Sequence, residues 1–201
     1  MIEKKGSFAM ACFSGSGLIL NTMENYREHE IKILGVDVSD IQQKLETLGA
    51  KKISDGIRVI TTFDTPERKF THEKKIIRIT EEDKIKLSVN FPSSQVQKNS
   101  IKVFTSRKKE TQDFLGQLWI VPITEVHTKR ISYEWGEVDF DIDIFPEIPA
   151  FLEIDIEHLP VLLDELLSKL GCDNKRQSFA GTEEIFAEYG KDYYTLFQIK
   201  N

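Results

Sequence analysis

Cysteine is scarce in this chain, with two residues among 201. Cys12 and Cys172 are far apart, and neither they nor the histidines show the spacing of zinc ligands. Neither a disulfide framework nor a zinc centre is therefore predicted. Sparse, unpatterned cysteine is typical of a reducing compartment, so we expect a cytoplasmic protein.

Long apolar runs and blocks of basic charge are also missing. No apolar run approaches the roughly 20 residues that a membrane-spanning helix needs, so we expect no membrane partner. The formal net charge is −6 without a basic block, which argues against binding of a nucleic acid polymer. An overall acidic chain can still hold a small anion in a local basic pocket.

Several catalytic signatures are absent. Gly15-Ser16-Gly17 precedes neither a lysine nor a helix signal, so it is not a phosphate-binding loop of the Walker type. No serine lies in a nucleophile-elbow pattern, and neither cysteine has a histidine context. These absences exclude the best-known nucleotide-binding loops and covalent hydrolase sites.

The first 22 residues are predicted to be an extension outside the domain. Lys4 and Lys5 precede an apolar segment from Phe8 to Leu20, as in a signal peptide, but serines and glycines at 14–17 interrupt it and no cleavage signature follows. We expect residues 1–22 to be flexible and residues 23–201 to form a single domain.

What the chain has in abundance is strand-like alternation, and a few helical segments separate the strands. A polar loop is expected at 93–100. Strands are predicted at 27–35, 57–63, 74–80, 84–90, 101–105, 121–127, 129–135, 137–144 and 151–157. Helices are predicted at 39–48 with a capping box from Ser39, at 109–119, from His158 to Leu170, and at 182–194. This order predicts an α+β fold with a large, mostly antiparallel sheet.

Ionisable residues recur on one face of nearly every predicted strand. In the first strand Glu28, Glu30 and Lys32 share a face, because side chains alternate with period two, while Ile31 and Ile33 point the other way. A solvated sheet face is one explanation. Because the pattern repeats on so many strands, we favour a second explanation, which is a closed barrel with a polar interior and helices packed outside.

The charged positions form an acidic set and a basic set. Carboxylates aligned on neighbouring strands repel one another unless cations lie among them, and hard oxygen ligands suit Mg²⁺ or Mn²⁺. Arginine and lysine bind phosphate oxygens. The acidic candidates are Glu28, Glu30, Glu137, Asp139, Asp141, Asp143, Glu153 and Asp155. The basic candidates are Lys32, Arg58, Arg78, Lys84, Lys86, Lys129 and Arg130. The alternative for each basic residue alone is a solvated surface position.

An ordered set of motifs resembles the CYTH proteins, the triphosphate tunnel metalloenzymes. The resemblance runs from about Tyr26 to Tyr194, and its ending from Gly181 to Gly190 is similar to the branch called class IV adenylate cyclase. The motifs are Glu28-x-Glu30-x-Lys32, Phe63-Asp64-Thr65, Ile77-Arg78-Ile79, Lys129-Arg130-Ile131-Ser132-Tyr133, Asp141-Ile142-Asp143 and Phe151-Leu152-Glu153-Ile154-Asp155.

The resemblance implies an eight-stranded antiparallel β-barrel, or tunnel, that binds a triphosphate with Mg²⁺ or Mn²⁺. It implies metal ligation by Glu28, Glu30, Asp141, Asp143, Glu153 and Asp155, phosphate binding by the basic set, and catalytic roles for Glu28, Glu30 and Lys32. Hydrolysis of inorganic, thiamine or nucleoside triphosphate is the first expectation. Formation of cyclic AMP from ATP and a non-catalytic polyphosphate-binding module are the alternatives. The expected partner is a small triphosphate, and the protein is expected to be a monomer or homodimer.

The sequence departs from the family pattern at phosphate-binding positions. Thr80 and Asn90 stand where the family usually has arginine and lysine, and the strand Ile101–Thr105 is largely apolar where the family has charge. Missing charge-assisted contacts, at about 1.5–3 kcal/mol each, predict weaker substrate binding. These departures favour the non-catalytic alternative.

Overall fold

One antiparallel sheet organises the chain, as seen in a computed structural model. The structure describes residues 24–28, 30–92, 98–155 and 163–200, with backbone alone for 24–28, 92, 98 and 99. Its strands are β1 (Glu24–Glu28), β2 (Glu30–Leu34), β3 (Lys51–Asp64), β4 (Ile76–Glu81), β5 (Ile85–Pro92), β6 (Lys98–Thr105), β7 (Val121–Trp135), β8 (Val138–Ile144), β9 (Phe151–Asp155) and β10 (Gln177–Ser178). Its helices are α1 (Val38–Leu48), α2 (Lys69–His72), α3 (Lys108–Gln117), α4 (Leu163–Lys169), α5 (Thr182–Glu188) and α6 (Tyr193–Leu196).

The sheet confirms the antiparallel α+β prediction and corrects the eight-stranded barrel. Its ten strands run in the order β1-β6-β5-β4-β3-β7-β8-β9-β2-β10, and it is not closed into a barrel in the described part of the chain. The physical reason lies in β2, which pairs with β9 on one edge and with β10 on the other. β10 occupies the second edge of β2 at Lys32 and Ile33, so this part of the edge does not pair with β6, which pairs with β1 instead.

Several predicted strand boundaries shift. The segments predicted at 121–127 and 129–135 are one strand, β7, and β3 begins at Lys51 instead of residue 57. Lys74 does not belong to the strand predicted at 74–80, because its positive φ of 55° places it in the turn before β4. The opening strand predicted at 27–35 corresponds to β1 and β2, which start at Glu24 and end at Leu34, and residue 29 between them lies outside the described residues.

Helix ends also differ from the prediction. Asp37, not Ser39, caps α1, since its Oδ1 accepts a 2.9 Å hydrogen bond from the Asp40 backbone N–H. The helix predicted at 182–194 is two helices, α5 and α6, because Gly190 adopts a φ of +69° between them. In the helix predicted from His158, residues 158–162 lie outside the described residues, and α4 covers the later turns. None of the described helices has the length and apolar character that crossing a membrane requires.

The apolar side of the sheet packs against helices, as predicted. Odd-numbered residues of β2 and β7 and even-numbered residues of β8 and β9, such as Ile31, Ile131, Ile142 and Ile154, form a core with α1 and α4. A smaller cluster, containing Ile79 and Leu115, joins β4 to α3. The opposite side of the sheet is therefore left to the charged residues.

One end of that opposite side is closed by the C-terminal helices. Phe186 of α5 and Tyr193 of α6 pack with Leu34, Ile60 and Phe151, whose side chains project from the same side as the charged residues. Edge-on aromatic contacts, such as Phe186–Tyr193 with centroids 5.2 Å apart, hold this cover together. The charged groups consequently occupy the middle of the sheet and its other end.

Candidate functional site

The charged side chains lie together on the side of the sheet opposite α1 and α4, which we call the polar face. No described helix covers its middle, yet Lys32 and Asp143 are each 1% exposed. The middle of the polar face is therefore shielded from water. The polar face comprises Glu30, Lys32, Arg58, Arg78, Lys86, Ser88, Lys102, Arg130, Asp139, Asp141, Asp143, Glu153 and Asp155.

Arg130 on β7 is the centre of the acidic half of this face. Its guanidinium binds Asp141 and Asp143 on β8, including a 2.7 Å hydrogen bond from Nε to Asp143 Oδ1, and donates from Nη2 to Glu153 Oε2 at 2.5 Å. Three carboxylates on two strands thus converge on one cation. Multidentate, buried contacts of this kind are the strong form of the arginine–carboxylate interaction.

Lys32 on β2 is a second internal cation. Its Nζ lies 2.6 Å from Glu30 Oε1 and 2.9 Å from Glu153 Oε1. Burial alone would lower the pKa of this ammonium, but Glu153 and Glu30 outweigh that effect and raise it above its usual value. Lys32 therefore remains charged near neutral pH and cannot serve as a base.

Glu153 links the two cations. Burial opposes its charge, but the Lys32 ammonium and the Arg130 guanidinium together hold its pKa well below the usual range. Arg58 extends the network from β3, with its Nη2 2.9 Å from Asp143 Oδ1. We refer to Lys32, Arg58, Arg130 and the carboxylates that they bind as the paired network.

A row of carboxylates continues from the paired network toward the open end of the face. Asp155 lies opposite Glu30 in the β2–β9 ladder, and Asp139 lies two residues before Asp141 on β8. The pKa of Asp139, which is exposed but has lost part of its hydration, is raised by that desolvation and by the charges of Asp141, Asp155 and Glu134. Mutual repulsion of this kind makes the row attractive to a cation.

A different environment occurs on β4, β5 and β6. Ser88 faces Arg78 on one neighbouring strand and Lys102 on the other. No carboxylate whose side chain is described lies within ion-pair distance of Arg78 or of Lys86. The Oγ of Ser88 is buried and has no hydrogen-bond partner among the described residues. We call Arg78, Lys86, Ser88 and Lys102 the basic cluster.

The lowered pKa of Lys86 shows the mutual repulsion of the cations in the basic cluster. Burial, reinforced by the positive charges of Arg78 and Lys102, lowers the pKa of the Lys86 ammonium to about 8. A polyanion would relieve that repulsion and accept hydrogen bonds from these groups. Arginine, lysine and serine are the side chains that bind phosphate oxygens in proteins.

The carboxylate oxygens are of the type that Mg²⁺ and Mn²⁺ prefer, but the described ones do not converge on a common point. Among residues whose side chains are described, no three His, Cys, Asp or Glu residues are arranged to hold a metal ion. Asp141, Asp143 and Glu153 instead bind Arg130. These residues therefore do not fit a metal site made of protein ligands alone.

The remaining predicted residues fall in several places. Lys129 is turned away from the polar face, where its Nζ binds Asp55 at 2.7 Å. Lys84 is exposed in the turn before β5, and the side chain of Glu28 lies outside the described ones. Thr80 and Asn90 lie on β4 and β5 among the polar face residues, so the face is uncharged at both positions.

Sequence reasoning missed two residues of the basic cluster as site residues. Lys102 lies in a strand whose other residues are largely apolar, and Ser88 carries no charge, so neither attracts notice alone. The alternation of Ser100, Lys102 and Phe104 is the available signal. It becomes informative only when the register of β5 with β6 places Lys102 beside Ser88.

Solved structures share this fold at low sequence identity. A Pyrococcus horikoshii protein matches with a TM-score of 0.61 and 19% identity, over 73% of this chain and 92% of that chain. A Vibrio parahaemolyticus protein described as a "putative adenylate cyclase" matches with a TM-score of 0.60 and 12% identity, over 89% and 95%. A Hippeastrum protein, described as a "putative adenylyl cyclase" with a dominant triphosphatase activity, matches with a TM-score of 0.57 and 15% identity, over 81% and 95%.

No curated protein matches the chain in sequence. The profile of the CYTH domain, in contrast, matches residues 26–174, which include the strands of both the paired network and the basic cluster. The chain belongs to the CYTH domain family.

Proposed function

We propose that this protein hydrolyses a phosphoanhydride bond of a triphosphate that lies against the basic cluster. The observation that carries the proposal is the buried Ser88 hydroxyl, which has no hydrogen-bond partner within the described part of the chain and lies between Arg78 and Lys102. A buried hydroxyl without a hydrogen bond costs roughly 1–3 kcal/mol. A bound phosphate oxygen would supply the missing partner and balance the neighbouring positive charges.

The arrangement also suits the chemistry of phosphoryl transfer. Charge moves onto the leaving phosphate oxygens as the bond breaks, and fixed cations close to those oxygens stabilise that change. Arg78, Lys86 and Lys102 supply such cations, and Lys86 is already partly desolvated. Lys32 contributes a fixed positive charge from the paired network, since it stays protonated.

Magnesium or manganese enters this proposal with the substrate. Mg²⁺ is commonly held by substrate phosphates and only one or two carboxylates, so a site made wholly of protein ligands is not needed. Glu30 and Asp155, which face each other across β2 and β9, are the carboxylates that we propose for this contact. Bound there, the ion would neutralise part of the triphosphate charge.

A non-catalytic polyphosphate-binding module is the second candidate. Thr80 and Asn90 leave two positions of the polar face without charge, which favours binding with slow or no turnover. Cyclisation of ATP is a further alternative, but it must also orient a ribose hydroxyl, whereas hydrolysis needs a water molecule. The dominant triphosphatase activity described for the Hippeastrum protein agrees with this order.

Turnover with three substrates tests the proposal. The protein is incubated with Mg²⁺ or Mn²⁺ and with tripolyphosphate, thiamine triphosphate or ATP, and phosphate and cyclic AMP are measured. We expect phosphate release that falls at least tenfold in Arg78→Ala. Lys129→Ala is the matched control, since it also removes one cation but lies away from the polar face.

Each other outcome has a definite meaning. Cyclic AMP as the main product from ATP would replace the hydrolase with a cyclase. Tight binding of all three compounds without product would establish the binding module. Failure to bind any of them would contradict the proposed site.

A further inference from the structure

A cavity of about 210 Å³ opens beside the basic cluster, at the turn between β4 and β5. Its wall is mixed, with acidic, basic and aromatic side chains. The lining residues are Thr80, Glu82, Asp83, Lys84, Lys86 and Phe104. Because Lys86 belongs to the basic cluster, a ligand bound to that cluster would extend naturally into the cavity.

Phe104 is the unusual member of this wall. It lies directly opposite Lys86 in the β5–β6 ladder, and 44% of its surface is exposed. The Nζ of Lys84 lies 5.9 Å from the centroid of its ring, so the ring already contacts a cation from the cavity wall. An exposed ring at the edge of an anion site gives the site an apolar, planar surface that a bare phosphate chain does not use.

The spacing between the two subsites matches a ligand with a charged part and a flat part. Lys102 and Phe104 are two residues apart on one face of β6, which separates them by roughly 7 Å. The cavity also contains Glu82, whose Oε1 lies 3.4 Å from Arg58 Nε, and Asp83. Carboxylates such as these can accept hydrogen bonds from amino groups or ring N–H groups. Stacking on phenylalanine together with hydrogen bonds to carboxylates is how an amino-substituted heterocycle is held.

We propose that Phe104 is a specificity-determining residue that stacks on the heteroaromatic ring of an organic triphosphate. Under this proposal the preferred substrate is a nucleoside triphosphate or a triphosphate with an aminopyrimidine ring, and inorganic tripolyphosphate is a poorer one. The inference rests on the proposed function, because it assumes that the triphosphate lies on the basic cluster. It adds to that function the identity of the group attached to the phosphates.

The test compares ring-bearing and ring-free ligands. Dissociation constants of the full-length protein for ATP, thiamine triphosphate and tripolyphosphate are measured by calorimetry in Mg²⁺. In Phe104→Ala we expect affinity for at least one ring-bearing ligand to fall about tenfold, with tripolyphosphate unchanged. Phe104→Tyr keeps a stacking ring and should restore the affinity. Phe114→Ala is the matched control, since Phe114 is also an exposed phenylalanine but lies on α3.

The pattern of loss identifies the ring. Loss confined to ATP indicates a nucleoside, and loss confined to thiamine triphosphate indicates an aminopyrimidine. Equal losses for all three ligands, or no loss for any, would overturn the role of Phe104 while leaving the proposed function intact. If the unmodified protein binds none of the three, the proposed function fails and this inference fails with it.

Discussion

The polar face holds cations in two contrasting environments. In the paired network, Arg130 and Lys32 are surrounded by carboxylates at hydrogen-bonding distance. In the basic cluster, Arg78 and Lys86 have no such partner among the described side chains, and Lys86 is destabilised as a cation. Arginine and lysine therefore have different surroundings in the two regions. The paired cations join neighbouring strands, whereas Arg78 and Lys86 lie on the polar face without a described carboxylate at ion-pair distance.

Because of this contrast, the two regions contribute differently to the stability of the folded protein. Most buried charges of the paired network are matched by ion pairs within it, although the buried Nε of Arg58 has no hydrogen-bond partner among the described residues. Removing one member therefore leaves others uncompensated. In the basic cluster, neighbouring cations repel Lys86, and the buried Ser88 hydroxyl has no hydrogen-bond partner among the described residues. Ligand-binding regions are commonly less stable than their surroundings for this reason. The following predictions would sharpen or break the comparison.

The largest effect is expected from Arg130→Met, which removes the cation shared by Asp141, Asp143 and Glu153. Loss of one partner from a buried ion pair costs about 3–5 kcal/mol. We expect the free energy of unfolding, measured with urea, to fall by that amount. Lys129→Met, at the adjacent exposed ion pair with Asp55, should cost less than about 1 kcal/mol. Equal losses in the two variants would refute the distinction.

The next effect is a pH dependence of triphosphate binding that depends on Lys86. The pKa of this ammonium is lowered to about 8, so Lys86 is mostly charged at pH 7 and mostly neutral at pH 9. Deprotonation removes a cation from the cluster, and affinity for tripolyphosphate should fall about tenfold over this range. Titration calorimetry at both pH values measures it. Lys86→Arg, which stays charged, should abolish the decrease, and persistence of the same decrease would exclude Lys86 as its source.

A smaller effect, with opposite signs for stability and binding, is expected from Ser88→Ala. Removing a buried hydroxyl that lacks a partner should raise the free energy of unfolding by about 1 kcal/mol. Loss of a hydrogen bond to phosphate should weaken tripolyphosphate binding about fivefold. Thr80→Val, which also removes a buried hydroxyl from β4–β5, is the control. Destabilisation by Ser88→Ala would show that the hydroxyl is satisfied within the fold.

The smallest effect on stability is expected in the row of carboxylates that includes Asp139 and Asp155. Asp139→Asn removes one of several repelling carboxylates, whose interaction is visible in the raised pKa of Asp139. Because Asp139 is exposed, solvent screening limits the gain in the free energy of unfolding to about 0.5 kcal/mol or less. Added Mg²⁺ should reduce the difference if the row attracts the cation. A decrease in stability would mean that the Asp139 charge has a favourable partner.

Residue alternation predicted much of this architecture. It placed Glu30, Lys32 and Asp143 on the charged side and the core isoleucines on the other, because strand periodicity depends only on local geometry. It did not separate Arg130 from its neighbour Lys129, which is turned away from the polar face. The resemblance added the family, which the profile match confirms. The roles of the predicted site residues remain predictions.

What the sequence left undetermined depends on register and on competition between distant groups. The predicted metal ligands Asp143 and Glu153 bind Arg130 in the structure, and no local pattern reveals which cation reaches which carboxylate. Ser88 gains its significance only from two inter-strand ladders.

The position of β2 between β9 and β10 bears on how the protein folds during synthesis. Both partners are translated long after β2, which ends at Leu34, whereas β9 begins at Phe151. At about 5–20 residues per second, β2 waits for several seconds or more with Ile31, Ile33 and the buried ammonium of Lys32 unpaired. The paired network can form only after β9 has left the ribosome. Nascent chains should therefore expose an unpaired strand edge with apolar side chains, and chaperones are expected to bind such a segment.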